Sequence, residues 1–222
     1  MDVKEAVQAR RSIRAFSAEP IPKEILREIM EQALRAPSWG NTQPWKLTVV
    51  EGPTLEKIKE EYLRLSRQGV SINPDFPFQT AFNEIQTYRY KDLGKNLFKA
   101  LGIGRENQEK RLAYNLDMTN FFGAPCLVYL HFDKGFHPYA LMDGGIILQT
   151  IALLAVDHGL GTCILTRSVS YPDVIRKHTE LPSDQDLIMG IGIGYPEKDH
   201  PANLFRSPRG KPEEFIDWVE GT

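Results

Sequence analysis

The sequence predicts one domain in which α-helices and β-strands share a core. The chain has 222 residues, which is enough for one well-packed domain and too short for two full ones. Segments with apolar residues at helical spacing alternate with short apolar runs that are typical of buried strands. In the last of these runs three glycines alternate, but no helix follows, so the Gly-x-Gly-x-x-Gly fingerprint is not formed. A Rossmann dinucleotide-binding fold is therefore not expected.

The first part of the chain is predicted to fold as three helices and one strand. Pro22 stands where the first turn of a helix tolerates proline, and Pro37 must end that helix. Between them one apolar stripe recurs at helical spacing: Ile25, Leu26, Ile29, Met30, Ala33 and Leu34. Thr54 is expected to cap a later helix through its side-chain oxygen. The helices cover residues 3–10, 22–36 and 54–66, and the strand covers residues 46–51.

Residues 68–115 are predicted to form an excursion from the main domain. Its first ten residues include two prolines and show no clear period, and helical patterns resume over residues 80–101 and 106–122. The first of these helices carries four aromatic side chains: Phe82, Tyr88, Tyr90 and Phe98. Such a segment is either a lid over a substrate channel or a surface that packs against a partner subunit, and both interpretations stay open.

The remainder is predicted to supply three strands, two helices and a tail. The helix over residues 139–158 is apolar on nearly every side, so we expect it to be buried, with Gly144-Gly145 permitting a close approach. A second helix covers residues 172–180, and the strands cover residues 125–132, 162–166 and 187–194. Residues 200–222 form a C-terminal extension, in which the helical spacing of Phe215 and Trp218 predicts a short helix over residues 213–219.

Composition and charge exclude several classes of function. The net charge of −2 leaves no basic surplus for nucleic acid. The N-terminus has no apolar signal-peptide core, and the longest apolar stretch, residues 146–156, is interrupted by polar residues and too short to span a bilayer. Cys126 and Cys163 lie in apolar strands and are interpreted as core residues, not as a disulfide or metal site. These features predict a cytoplasmic protein without nucleic-acid or membrane partners.

Three segments stand out as candidate binding elements. They are Arg10-Arg11-Ser12-Ile13-Arg14, Ala36-Pro37-Ser38-Trp39-Gly40-Asn41-Thr42-Gln43-Pro44-Trp45 and Phe205-Arg206-Ser207-Pro208-Arg209. Guanidinium forks and a hydroxyl suit a phosphate, and a polar loop rimmed by tryptophan suits a flat heteroaromatic ring. Taken singly, each segment is better explained by a solvated charged face or a turn. Together they indicate one ligand that carries both groups, such as flavin mononucleotide (FMN).

These segments and three further motifs, in their order along the chain, resemble the FMN-dependent nitroreductase family. The further motifs are Phe122-Gly123-Ala124-Pro125, Gly159-Leu160-Gly161-Thr162 and Gly194-Tyr195-Pro196. Each motif is weak alone, but the ordered set spans nearly the whole chain. The resemblance implies an α+β, nitroreductase-like three-layer fold with a mixed central sheet flanked by helices, in a single domain of residues 1–222. It also implies an intertwined homodimer with FMN at the subunit interface.

The resemblance assigns roles to the first arginine segment. It implies that Arg10 and Ser12 contact the phosphate and the ribityl chain of FMN, and that Arg11 lies beside them. Arg14 matches a basic residue near the pyrimidine edge of the ring. There a fixed cation would stabilise the negative charge that reduction places on the ring, so Arg14 is the expected electrostatic tuner.

The other cofactor contacts are also implied by the resemblance. The second subunit would lend one loop to the ring: Pro37, Ser38, Trp39, Asn41 and Gln43. Backbone groups of Leu165 and Thr166 would meet the N5 side of the flavin, and Arg209, with Arg206, would clamp the phosphate. In this chain the proline after the last arginine comes one residue late, which makes Lys211 an alternative clamp. Thr166-Arg167 also stands where several relatives have an acidic residue followed by glycine.

The implied activity is that of an FMN-dependent oxidoreductase. NADH or NADPH would pass a hydride to the flavin, and a nitroaromatic, quinone or related small-molecule acceptor would then take the same place in a ping-pong, two-electron cycle. Because the flavin carries this chemistry, no catalytic side chain and no metal are expected. Nothing in the sequence places Ser168, His158 and Asp143 together as a triad, and His131 and His137 lack metal-ligand spacing.

Two alternatives stay open. One is a reductive dehalogenase of the iodotyrosine deiodinase type, in which a lid presents a glutamate, a tyrosine and a lysine to a zwitterionic substrate. Glu84, Tyr88 and Lys91 occur in the corresponding excursion, at a spacing that does not match well. The other alternative is a non-catalytic flavin-binding or storage protein, which would bind FMN without rapid reduction by NADH or NADPH.

Overall fold

A computed structural model describes residues 1–221, and Thr222, the last residue of the predicted domain and extension, lies outside the described residues. The α-helices are α1 Val3–Ala9, α2 Lys23–Ala33, α3 Gly52–Arg67, α4 Glu84–Ala100, α5 Gln108–Thr119, α6 Tyr139–Asp157, α7 Pro172–Thr179 and α8 Pro201–Leu204. The strands are β1 Lys46–Glu51, β2 Cys126–Asp133, β3 Gly161–Leu165 and β4 Gln185–Gly194. All four predicted strands are confirmed.

The strands form one sheet in the order β1-β2-β4-β3, and every neighbouring pair is antiparallel. The two central strands, β2 and β4, are buried along nearly all of their length. A mixed sheet was expected, and its only parallel pairing in residues 1–221 is a single bridge between Ser12 and Thr162, at the free edge of β3. The first arginine segment is thereby attached to the sheet.

Helices cover both faces of the sheet and divide the core in two. Because side chains alternate along a strand, Val128 and Leu130 of β2 face one core, and Leu127 and Tyr129 face the other. Helices α2 and α6 close the first core, and helices α3 and α7 close the second. This arrangement confirms the predicted α+β fold of three layers.

Helix α6 lies against the sheet because it carries glycine at the point of closest approach. A Cβ atom on Gly144 would lie 2.8 Å from the side chain of Leu130 and 2.9 Å from that of Phe132, whereas Gly145 faces open space. The predicted close approach is therefore confirmed for Gly144 alone. Among residues 1–221, α6 is the one helix that is long and apolar enough to cross a membrane. Buried core helices commonly have the same length and composition. Here α6 forms part of the first core.

Two local predictions are wrong. Helix α3 begins at Gly52, which has a φ of 61°, so Glu51 occupies the cap position and Thr54 lies inside the helix. Residues 213–219 form no α-helix: the tail has a single 3₁₀ turn, Pro212–Glu214, and Trp218 is 83% exposed. A helix of seven residues is not stable without tertiary packing, and Trp218 and Val219 are both largely exposed here.

Candidate functional site

The first arginine segment runs in an extended conformation along the edge of the sheet. The amide of Ile13 donates a hydrogen bond of 2.8 Å to the carbonyl oxygen of Thr162 in β3. The Ile13 side chain points inward and lies so close to Gly161 that any Cβ there would overlap it. Because side chains alternate along an extended segment, Ser12 and Arg14 both point the other way, into a large cavity.

Asn203, in the short helix α8, fixes this segment from the other side. Its side-chain carbonyl accepts a bond of 2.7 Å from the amide of Arg14, and its backbone carbonyl accepts one of 2.7 Å from Nε of Arg11. Its side-chain amide donates to the carbonyl oxygens of Ala15, at 2.7 Å, and Glu197, at 2.9 Å. Asn203 is fully buried, so these bonds are shielded from water. No sequence pattern pointed to this residue, because one asparagine in a polar tail is not distinctive.

The two arginine segments lie side by side, with Arg10 near Arg209 and Arg11 near Arg206. Burial and the neighbouring Arg209 lower the pKa of Arg10, and burial and the neighbouring Arg206 lower the pKa of Arg11. None of the four forms an ion pair with a carboxylate among residues 1–221. Arg206 donates instead to the carbonyl oxygen of Gln8 at 3.0 Å. Such an uncompensated group of cations suits a phosphate dianion.

The cavity beside this cluster, here called the lid cavity, has a volume of about 1020 Å³. Ser12, Arg14, Leu165 and Thr166 all line it, so the structure brings these four candidate residues together. Helices α4 and α5 and the turn between them supply much of the remaining wall. Cys163 also lines it, and burial raises the pKa of this thiol to about 11, so it stays protonated at neutral pH.

The C-terminal extension contacts α4. Arg89 of α4 forms an ion pair of 2.6 Å with Glu214, and its guanidinium group lies 4.8 Å from the centre of the Phe215 ring. The tail passes Arg206 and Arg209 before it reaches this point, so one segment connects the arginine cluster to the wall of the lid cavity. Besides burial, Arg209 and Arg206 lower the pKa values of Arg10 and Arg11, and Lys211 has no such effect on either group.

The polar loop of residues 37–43 lies elsewhere, at the N-terminal end of α6. The amide of Trp39 donates to Asp143 at 3.1 Å, and the amide of Gln43 donates to the hydroxyl of Ser38 at 2.9 Å. Asn41 and Gln43 have φ values of 57° and 47°, a strained conformation for residues other than glycine. Trp39 is 67% exposed and stacks on Tyr139, and the loop borders a second cavity of about 710 Å³.

The two cavities share no lining residue. Within one chain, the loop with Pro37, Ser38, Trp39, Asn41 and Gln43 is therefore not part of the site that Ser12, Arg14, Leu165 and Thr166 form. The sequence resemblance implies that the loop of a second chain completes the site.

The other reactive side chains have structural roles. The Ser168 hydroxyl donates to the carbonyl oxygen of Leu165 at 2.6 Å, Asp143 accepts from Trp39, and His158 lies 3.9 Å from Glu28, so no triad is formed. The ring of His131 has Thr48 and Gln185 as partners. No group of histidine, cysteine, aspartate or glutamate side chains in the described part of the chain could hold a metal ion.

Comparison with known proteins identifies the family. The sequence profile of the Nitroreductase family matches residues 7–195, which include the first arginine segment, the polar loop and the whole sheet. This chain belongs to the nitroreductase family. Nitroreductase NfnB of Mycolicibacterium smegmatis is 31% identical over 204 residues, which cover 91% of this chain and 86% of that one.

Two other comparisons extend this result. The crystal structure of the FMN-dependent nitroreductase NfnB from Mycobacterium smegmatis in complex with NADPH matches this fold with a TM-score of 0.93 at 30% identity, over 98% of this chain and 97% of that chain. The NADH dehydrogenase of Thermus thermophilus is 48% identical over 207 residues, 91% of each chain. The iodotyrosine deiodinase of Nematostella vectensis is 27% identical over 214 residues, 91% of this chain and 70% of that one.

The deiodinase-like trio of this nitroreductase family member is not assembled. Lys91 lines the lid cavity, but Glu84 and Tyr88 do not, and Tyr88 is 69% exposed. A zwitterionic substrate also needs an anion for its ammonium group, and no aspartate or glutamate among residues 1–221 lines this cavity. The geometry of a single chain thus gives no support to that alternative.

Proposed function

We propose that this protein is an FMN-dependent oxidoreductase that uses NADH or NADPH to reduce nitroaromatic, quinone or related acceptors. The observation that carries the proposal is the arginine cluster without carboxylate partners, which lies beside a cavity lined by Ser12, Arg14 and the end of β3. The arginine cluster offers a site for a phosphate, and the adjoining cavity offers a site for a ring. The family membership and the NfnB relatives support the same function.

The residues of the cluster fit FMN. In this proposal Arg10, Arg11, Arg206 and Arg209 bind the phosphate, and Ser12 binds the phosphate or the ribityl chain. No carboxylate among residues 1–221 forms an ion pair with these four arginines, so a phosphate would relieve the repulsion between neighbouring guanidinium groups. Leu165 and Thr166, at the end of β3, would place backbone groups against the ring.

FMN held by these residues would supply the two-electron redox chemistry between donor and acceptor. With a nitroarene, each cycle consumes one NAD(P)H and one proton and yields the nitroso compound, water and NAD(P)⁺. The protein contributes position and charge. Arg14, which lines the lid cavity and is held through its amide by Asn203, would stabilise negative charge on the reduced ring. Arg14→Ala should weaken FMN retention or lower its midpoint potential, and Arg14→Lys should preserve more of both.

The separation of the two halves of the site supports a homodimer. The loop of residues 37–43 would reach the flavin of the partner subunit, with FMN at the interface. Exposed apolar side chains near this loop are consistent with a subunit contact, since Met142 on α6 is 62% exposed and Trp39 is 67% exposed. We place the dimer in the cytoplasm. Native mass spectrometry should find two chains with two FMN molecules, and a monomer that retains FMN would contradict this arrangement.

The first experiment is an absorbance spectrum of the purified protein, followed by anaerobic addition of NADH and then NADPH. A flavin spectrum that bleaches rapidly supports the proposal and identifies the donor. A flavin that stays oxidised would instead favour a storage protein. A colourless protein that takes up no added FMN would refute the proposed cofactor. Turnover of halogenated tyrosine with halide release, without turnover of nitroarenes or quinones, would favour the deiodinase alternative.

A further inference from the structure

Among residues 1–221, the charged side chains that line the lid cavity are all positive. Apart from Arg14, six cationic side chains line this cavity: Lys91, Lys95, Lys99, Arg105, Arg111 and Arg167. No aspartate or glutamate among residues 1–221 does so. The whole sequence has 27 basic and 29 acidic residues, so the overall composition does not account for this segregation. The charge is concentrated by the fold.

Most of these cations have no internal partner. Lys91, Lys95 and Lys99 recur every four residues and so share one face of α4. Among the described residues, the ion pairs and side-chain hydrogen bonds include none made by these lysines, Arg105 or Arg167. Of the neighbouring acids, Asp117 lines a different cavity, and the carboxylate of Glu106 lies beside Gly104 without lining the lid cavity itself.

Arg111 is fixed in place at the wall. Its Nε donates to the carbonyl oxygen of Gly104 at 3.0 Å, and its guanidinium group lies 4.5 Å from the centre of the Phe98 ring. A cation that is held in this way loses little side-chain entropy when a ligand binds. The same wall has apolar surface next to the charge, which Leu97, Phe98 and Met118 supply.

These six cations exceed what FMN requires. The phosphate is already served by the separate cluster of Arg10, Arg11, Arg206 and Arg209, none of which lines the lid cavity. In a cleft whose walls carry one sign of charge, the field is focused, and association of an oppositely charged ligand is accelerated by about 10 to 1000-fold. An exposed ion pair on an open surface gains far less.

We propose that the acceptor reduced at this site is an anionic arene: a nitro or quinoid ring that carries a carboxylate or sulfonate. The lid cations attract and orient the anionic substituent, and the apolar wall covers the ring. This inference rests on the proposed FMN-dependent function and adds the charge of its substrate. Its recognition element is the cationic face of α4 together with Arg105, Arg111 and Arg167.

The test uses the holoenzyme and a matched pair of acceptors, 4-nitrobenzoate and the neutral 4-nitrobenzamide. The enzyme is first reduced anaerobically, and its reoxidation by each acceptor is followed by stopped-flow absorbance. The readout is the ratio of the two second-order rate constants, anionic over neutral. In the triple variant Lys91→Gln/Lys95→Gln/Lys99→Gln we expect this ratio to fall about tenfold. Glutamine keeps the helix propensity of the exposed lysines, so α4 should persist.

A second triple variant is the matched control. Lys23→Gln/Lys57→Gln/Lys198→Gln removes the same total charge from exposed positions outside the lid cavity. It should leave the ratio within twofold of the wild-type value. In the wild-type protein, raising the ionic strength from about 0.02 M to 0.5 M should lower the ratio, because salt screens charges beyond a few ångströms. The salt experiment needs no variant and therefore does not depend on folding of the mutant.

Three results would overturn the inference. The ratio could be insensitive to both salt and the α4 lysines, or the control variant could lower it equally, which would indicate only a net-charge effect. The α4 variant could also slow reduction by NADPH relative to NADH while the acceptor ratio stays unchanged. The cations would then serve the 2′-phosphate of the donor. Failure of the proposed function is distinguishable, because the flavin would then be absent or would not be reduced at all.

Discussion

Replacement of Asn203 by alanine tests whether one buried side chain holds the arginine segment in place. The change removes three hydrogen bonds of 2.7, 2.7 and 2.9 Å, to the backbone of Arg14, Ala15 and Glu197. The net contribution of each such bond is about 0.5–1.5 kcal/mol, so the free energy of unfolding should fall by about 1.5–4.5 kcal/mol. FMN affinity should fall as well, because the arginine segment loses its support next to the proposed phosphate site.

Urea unfolding of the apoprotein measures the stability without the contribution of bound FMN. Quenching of flavin fluorescence measures the FMN dissociation constant. Asn203→Asp keeps the acceptor for the Arg14 amide but turns a buried carboxylate oxygen toward the carbonyl oxygens of Ala15 and Glu197, so it should lose at least as much stability as Asn203→Ala. Asn96→Ala, at a half-buried position on α4, is the control and should change stability little. An Asn203→Ala protein with wild-type stability and FMN affinity would refute the assigned role.

Three further predictions concern separate parts of the molecule. Arg209→Ala should weaken FMN binding about tenfold or more, since a hydrogen bond to a charged group contributes about 1.5–3 kcal/mol, and Lys211→Ala should matter far less; equal losses in a fluorescence titration would contradict Arg209 as the clamp. Gly161→Ala should destabilise the apoprotein by about 1–3 kcal/mol, because its methyl group overlaps Ile13, and in urea unfolding the Gly161→Ala/Ile13→Ala double variant should lose less stability than the sum of the two single variants. Burial lowers the pKa of His131, so the unfolded state takes up its proton first and stability should decline as the pH falls below about 6.5. His131→Gln should reduce that decline in unfolding midpoints compared between about pH 8 and pH 5, and an unchanged decline would exclude this histidine as a cause.

Local sequence patterns were sufficient to predict the four strands of the sheet. Each strand is a short apolar run between turn residues, and β1 was predicted with its observed bounds, Lys46–Glu51. The stripe that begins at Ile25 likewise predicted α2, because burial of one helix face requires that spacing. Errors arose where a conformation depends on one φ value, as at Gly52, or on packing that the single chain does not provide, as in residues 213–219.

The candidate site was predicted in part. The motif of three arginines and a serine indicated a phosphate, and Ser12, Arg14, Leu165 and Thr166 do border one cavity. Asn203 was missed because its importance lies in four hydrogen bonds to residues distant in sequence. Helices α4 and α5 of the excursion line the lid cavity, and the choice between a lid and a subunit contact stays a prediction.

The sequence by itself determined the class of fold, the family and the chemical type of ligand, because helix stripes, strand runs and the choice of arginine are local properties. Only the tertiary structure decided which charges meet. It brought the cations of α4, α5 and β3 to one cavity without an acid, in a chain whose basic and acidic residues nearly cancel. It also separated the loop of residues 37–43 from that cavity. Electrostatic fields and shared sites depend on distances between residues far apart in the chain, and those distances are fixed only when the layers pack.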